Sequence, residues 1–554
     1  MRHSRQALRD IGPLREHQHR HSEDTAVPTV SVRDERPEYL IATSYPTLFP
    51  YGLGMVEDHQ PGALSFVQQC CRLLKYHDRR FRTHHSFPFA VFGMQQKRQA
   101  LSSARIQMSQ AGFAEVARTF STLRYEDLEK AAEEEKEGLS VSDGRIRLLR
   151  RHVSATAGRV TGSDQAWATY RSQIWGMTYA LNPLSLWITI NPNDLQDPIV
   201  QIFAGADIDM DNFNPLIGPD ADQRARNVAH DPYAAAKYFV YLVDTILQEL
   251  LGIRHTESRV TSTEGIFGLV SGYFGVVEAQ GRGTLHLHLL VWLRNAPTPA
   301  QMLELLKSEQ FRNRLCQFIR ANIRAHVQGL DQSAVEKSVA TKNVAYSRPP
   351  APTSPTLIEE LSNLEATVAR STQVHTCSQH TCLKISRTGV KHCKRRAPFP
   401  LATDDWVQEN GSWGPKRSYG YLNNWCPPLV PILRSNHDIK LLTNGPETLS
   451  IFWYVTSYQT KKQNRSYNTS ALLAKTVRKH EGTDQYLQDI QERNRLLLFR
   501  CINALNGETE LSAPMIMMYL LGHGDSMSSH KFAPLYWGAV SGYLARVFPE
   551  LKHG

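Results

Sequence analysis

The sequence predicts a soluble protein of mixed helices and strands, with an antiparallel hairpin at its centre. Three observations carry this. The segment Thr284-Leu285-His286-Leu287-His288-Leu289-Leu290 alternates with period two, as a strand does. A second strand-like run, Tyr273 to Gln280, precedes it across the turn-like Gly281-Arg282-Gly283. Elsewhere the apolar residues recur at helical spacing, as from Pro232 to Leu251 through Tyr238, Phe239, Leu242, Val243, Ile246 and Leu250.

Along the chain, residues 1–36 read as a flexible basic arm and residues 37–150 as a mostly helical accessory region. Glu38 to Gly54 is an aromatic, Pro/Gly-punctuated docked loop. A helical run from Leu64 to about Phe81 carries Lys75, Arg79, Arg80 and Arg82 near Tyr76, Phe81 and Phe87, a pairing suited to a nucleic-acid backbone. Residues 126–139 form an acidic helix. Residues 151–298 hold the first part of the core, with a buried strand at Ser185 to Asn191. Residues 299–440 read as an insertion with helices at 299–328 and 356–369, a Pro-rich linker and a Cys/His cluster. Residues 441–505 carry a tyrosine-bearing segment and a basic helical region at 469–505. Residues 506–554 form an aromatic, helical C-terminal segment.

The totals bound the function. A chain of 554 residues divides into roughly two to four domains. It is 41% hydrophobic and 21% charged, an ordinary globular balance. A net charge of +10, with 22 His in reserve, fits a polyanionic partner such as nucleic acid. No apolar run is long enough for a transmembrane helix, and the polar N-terminus lacks a secretory apolar stretch. Eight Cys in so long a chain argue against a disulfide scaffold, so a reducing intracellular compartment is expected.

Three constellations carry chemistry. On a strand, Leu285, Leu287 and Leu289 share one face, and His286 and His288 share the other. Two rigidly held imidazoles can bind a divalent metal. Glu278 and Gln280 share a parity on the preceding strand, and folding the hairpin brings one of them beside the His pair. Glu278 is the stronger ligand because it is charged. Such a set leaves positions on Mg²⁺ or Mn²⁺ for a phosphate oxygen. The second constellation is Tyr454, Tyr458 and Lys461. On a helix these share a face, with the Tyr pair about 5–6 Å apart at Cβ. As a strand, which Trp453, Tyr454, Val455, Thr456 and Tyr458 individually prefer, they stand about 13 Å apart. Gly445-Pro446 upstream favours a helix start. A phenol of pKa about 10 is a poor nucleophile at neutral pH; a metal on the phosphate, or Lys461 nearby, offsets that. The third is His375, Cys377, His380, Cys382, His392 and Cys393, from which Cys377, Cys382 and Cys393 with His375 make the expected tetrahedral Zn²⁺ site. The adjacent Lys394, Arg395 and Arg396 are expected to meet phosphate.

Taken together, these motifs resemble the replication-initiator domain of Helitron rolling-circle transposases, in the HUH endonuclease superfamily. Leu186-Trp187-Ile188-Thr189-Ile190-Asn191-Pro192-Asn193-Asp194 is similar to the family's first motif. Glu278 to His288 is similar to the second, and Tyr454 to Lys461 matches the third, Y-x-x-x-Y-x-x-K. The resemblance runs from about residue 38 to the end. It implies an α+β fold, a mainly antiparallel sheet with packed helices, carrying the His pair opposite a tyrosine helix. It implies a metal at His286, His288 and Glu278 or Gln280, and tyrosine attack that leaves a 5′-phosphotyrosine and a free 3′-hydroxyl on single-stranded DNA. Asn191, Asn193, Arg282, Arg79 and Arg80 are expected DNA contacts. No G-x-x-x-x-G-K-[ST] loop occurs, so the resemblance implies a stand-alone nuclease portion, a truncated copy, or one half of a split system with its helicase supplied in trans. A nuclear location follows from that function. Two rival readings are an inactive or domesticated DNA-binding relic and a metal-dependent hydrolase that activates water.

Overall fold

A run such as LHLHLLVWL has β-branched and aromatic residues at its end and apolar side chains on both parities, which suits a strand covered on both faces. It becomes the central strand of the protein. The computed structural model describes residues 41–549 apart from 42, 53, 55–63, 111, 256–259, 281–282, 381, 387–388, 444–467, 484–488, 534 and 536. The expected arm at 1–36 lies outside the described residues.

We label the strands that organise the site β1 (Leu186–Ile190), β2 (Val270–Ala279), β3 (Leu285–Leu293), β4 (Leu383–Ile385), β5 (Lys391–Cys393), β6 (His437–Leu441) and β7 (Ser526–Ser528). Five of them form one antiparallel sheet in the order β6-β1-β3-β2-β7. The fold is α+β, as expected. β2 and β3 form the anticipated hairpin, with Glu278 opposite His286 and Val276 opposite His288. Gln280 N–H donates to Thr284 O at 2.9 Å, and Gly283 takes a left-handed φ of +85° that closes the turn.

The two sheet faces are covered differently. Leu285, Leu287, Leu289 and Val291 enter the main core with Leu186, Ile188 and Ile190. The helices Phe87–Met108, Pro232–Thr245 and Ala513–Leu520 bury their apolar sides in that same core. On the opposite face Trp187, Phe274, Val276, Leu290 and Trp292 meet Trp167, Ile174 and Met177 of the helix Asp164–Leu181. That helix covers only one end of the face. The other end carries the side chains of His286, His288, Thr189, Glu278 and Asp438, all of one parity by register.

A second core is purely helical. Phe120, Leu128, Ile146, Leu149 and Val153 pack with Leu473, Val477, Leu498 and Ile502, so Thr469–Thr483 and Ile490–Asn506 join the N-terminal helices. The acidic helix thereby gains a partner: Glu135 accepts from the amide of Ser470 at 3.0 Å, and Asn468 Nδ2 donates to Ala132 O at 2.6 Å.

Four boundaries differ from the sequence reading. The helix expected from Leu64 to Phe81 spans only Phe66–Leu74. Arg79, at φ +63°, and the Asp78 carboxylate that accepts from Arg80 N–H at 3.1 Å turn the chain instead. The 299–328 stretch is two helices, Pro299–Lys307 and Glu309–Asn322, broken at the extended Ser308. The C-terminal segment is not all helical, since β7 pairs with β2. The stretch read as an insertion up to residue 440 already contains β6, which re-enters the sheet beside β1.

Candidate active site

Because β3 is central and rigid, its two histidines are presented side by side. Their ring centroids lie 4.4 Å apart at 80°, and Nε2 faces Nε2 at 3.1 Å. Glu278 Oε2 lies 3.8 Å from His288 Nε2. The outer nitrogens have their own partners. His288 Nδ1 is 3.2 Å from Thr189 Oγ1 on β1. His286 Nδ1 meets Asn191 Oδ1, and Gln280 Nε2 donates to that same oxygen at 2.9 Å. The tautomer that serves both outer acceptors carries its proton on Nδ1 of each ring. With that tautomer the two Nε2 atoms, 3.1 Å apart, are both in the ligating form, a donor pair suited to a divalent cation. The hairpin therefore brings Glu278 to the convergence point, while the Gln280 amide lies 3.0 Å from His286 Nδ1, on the far side of that ring.

Electrostatics keep the rings neutral. Burial pushes His288 down to about 4. Burial, the neighbouring His288 and the positive charge of Arg395 hold His286 well below the ordinary imidazole range. Neutral imidazole is the ligating form. Close by, burial pushes the Asp194 carboxyl up to about 7, although the backbone amide of Leu285 favours its ionised form. Its Oδ1 has no protein partner.

The Cys/His cluster also assembles. Among the described residues, His375, Cys377, Cys382 and Cys393 draw their ligand atoms within 4.8 Å of one another. His375 Nε2 lies 3.3 Å from Cys393 Sγ and 3.5 Å from Cys377 Sγ. The β4–β5 hairpin sets Cys393 opposite Leu383, next to Cys382. Burial and the two neighbouring thiols, Cys393 and Cys382, push Cys377 up to about 11. The donors therefore fit a metal such as zinc. His380 and His392 are exposed and outside the cluster.

The remaining expected residues fall in different places. Tyr454, Tyr458, Lys461 and Arg282 lie outside the described residues. Arg79 donates to Ala204 O at 2.6 Å and packs on Gly205. Arg80 pairs with Asp78 and lies 5.4 Å from the Tyr76 ring. Asn193 accepts the amides of Gln196 and Asp197 through its backbone oxygen. Lys394, Arg395 and Arg396 are exposed beside the cluster. Sequence reasoning missed Thr189 and Asn436. The parity of Leu186–Ile190 signals the first, since Thr189 is the polar residue of that strand.

Residues 70–291 match the family model described as the Helitron helicase-like domain at the N-terminus. That segment is similar to a Helitron-related domain. The match contains β1, β2, β3 as far as Val291 and both histidines, and it stops short of the Cys/His cluster and the tyrosine segment. No curated protein matches the chain. The Helitron-like segment thus coincides with the part of the fold that builds the His site, and its similarity suggests a Helitron transposase-related role. Among the described residues, no helix is long and apolar enough to cross a membrane.

Proposed function

We propose that this Helitron-like protein nicks and transfers single-stranded DNA by tyrosine transesterification. The observation that carries the reading is the pair of neutral imidazoles on β3, Nε2 to Nε2 at 3.1 Å with Glu278 beside them, inside the Helitron-like segment. His286, His288 and Glu278 hold Mg²⁺ or Mn²⁺. When bound, such an ion supplies Lewis-acid polarisation of a non-bridging oxygen of the scissile phosphate. Thr189 and Asn191 fix the two rings, and Gln280 shares Asn191. The phenolic oxygen of Tyr454 or Tyr458 forms a new bond to phosphorus while the bond to the 3′-oxygen breaks. The products are a 5′-phosphotyrosine and a 3′-hydroxyl that takes the proton. The second tyrosine serves a second cleavage, and Lys461 steadies the phosphate. His375, Cys377, Cys382 and Cys393 hold a structural Zn²⁺. Exposed Lys394, Arg395 and Arg396 meet the DNA backbone, in the nucleus.

End-labelled single-stranded DNA with Mn²⁺ separates this reading from its rivals. Transesterification leaves a free 3′-hydroxyl on one fragment and a 5′ end that enters the gel only after protease digestion. A free 5′-phosphate without protease indicates a hydrolase, and salt-sensitive binding without scission indicates a DNA-binding relic. Either result contradicts the proposal.

A further inference from the structure

The two candidate metal centres are joined by a short side-chain path. Asn191, which contacts His286 Nδ1, is itself held twice by Asn436. Its Nδ2 donates to Asn436 Oδ1 at 3.0 Å, and its backbone N–H donates to Asn436 O at 3.2 Å. Asn436 Nδ2 in turn donates to the backbone oxygen of Thr372 at 2.9 Å. Thr372 sits in a π-helical turn, Ala369–Gln373, that follows the helix Leu357–Val368. Such turns interrupt the regular ladder and redirect backbone groups. Three residues after Thr372 comes His375, whose amide is pinned to Tyr421 O at 2.7 Å and whose ring faces Cys393 and Cys377. Arg395 is exposed two residues beyond Cys393, and its charge is felt at His286.

Resting on the function proposed above, we infer that Asn436 is a positioning residue that couples the Cys/His cluster to the nuclease metal site: metal at His375, Cys377, Cys382 and Cys393 fixes Thr372, and Asn436 transmits that order through Asn191 to His286. A ligating histidine is oriented by whatever holds its other nitrogen, and loss of such a partner typically weakens metal binding about 10- to 100-fold. A protein that folds its insertion correctly thereby arms its nicking site, and one that loses zinc disarms it.

The test measures Mn²⁺ affinity by electron paramagnetic resonance on the full zinc-loaded chain, with His286→Ala as the background that defines the site. Asn436→Ala and Cys393→Ser are each expected to weaken Mn²⁺ binding about tenfold or more. Cys393→Ser also loses zinc, while Asn436→Ala retains it. Because both act through one route, the double variant is expected to lose no more than the larger single loss. A purely structural role for Asn436 predicts losses that multiply, which would overturn the coupling. Unchanged Mn²⁺ affinity in both single variants, with normal wild-type binding, overturns it as well and leaves the nuclease reading intact. No His286-dependent Mn²⁺ binding in the wild type removes the nuclease reading and this inference together. If Asn436→Ala lowers the melting temperature markedly, Asn436→Ser, too short to bridge Thr372 and Asn191, replaces it with the same expected outcomes.

Discussion

At the scale of single residues, the sheet edge beside the site is held by a fully buried histidine that is not part of it. His437 opens β6, donates through Nδ1 to Ser435 O at 3.2 Å and accepts the Cys426 amide on Nε2 at 3.1 Å. Burial pushes it down to about 4. Its folded pKa is therefore below its unfolded value of about 6.5. Between those values the unfolded chain binds the extra proton, so the contribution of His437 is complete above about pH 6.5 and is lost as pH falls towards 4. Chemical denaturation of His437→Gln is expected to show a clear loss of stability at pH 7.5. That gap should narrow by up to about 3 kcal/mol by pH 4.5. A gap that is constant across this range contradicts the burial argument. His286, His288 and Glu278 were legible in the sequence because period-two parity along one hairpin decides their placement. The choice of His375, Cys377, Cys382 and Cys393 was legible from ligand chemistry. Asn436 was not, since 245 residues separate it from Asn191 and only tertiary structure brings them together.

At the scale of elements, one helix covers the end of the sheet face that the His pair leaves. Asp164–Leu181 approaches β2 at Gly272, where an added Cβ meets Leu181 Cδ1 at 2.6 Å and Met177 Cε at 2.9 Å. Gly272→Val is therefore expected to destabilise the protein by about 1–3 kcal/mol. It should also force the ends of the Leu181 and Met177 side chains aside and increase solvent exchange at the amides of β2. A neutral effect in thermal melts and in hydrogen exchange argues against this close approach. Strands and helices with a clear period were legible, as β1, β2, β3 and Pro232–Thr245 show. β6 alternates cleanly too, but its place after a long irregular insertion concealed it. β7 is three residues long, and only pairing with β2 makes it a strand. The short helix Phe66–Leu74 was overextended because basic and aromatic residues continue past its end while the turn chemistry of Asp78 and Arg79 stops it.

At the scale of the whole molecule, parts distant in sequence are bound into one core by buried ion pairs. Arg434, just before β6, meets Asp197 at 2.5 Å, and Arg82, from the N-terminal region, meets Asp231 at 2.9 Å. Burial raises the Asp197 carboxyl and the Arg434 charge opposes that rise. Arg434→Met strands this carboxylate in the interior and is expected to cost about 3–5 kcal/mol, whereas Arg434→Met with Asp197→Asn, which keeps the side-chain oxygen that accepts the Ile199 amide at 2.9 Å, should recover most of the loss. Equal instability of single and double variants in denaturant titrations contradicts this. The tyrosine segment connects β6 of the sheet with Asn468, docked on the helical bundle at Ala132. Whether a phenol from that segment attacks DNA at the His pair is the central claim. The most direct measurement is a denaturing gel of the full chain with labelled single-stranded DNA and Mn²⁺. The account predicts a covalent protein–DNA adduct that disappears in the Tyr454→Phe, Tyr458→Phe double variant and in His286→Ala. An adduct that persists undiminished in either variant contradicts it.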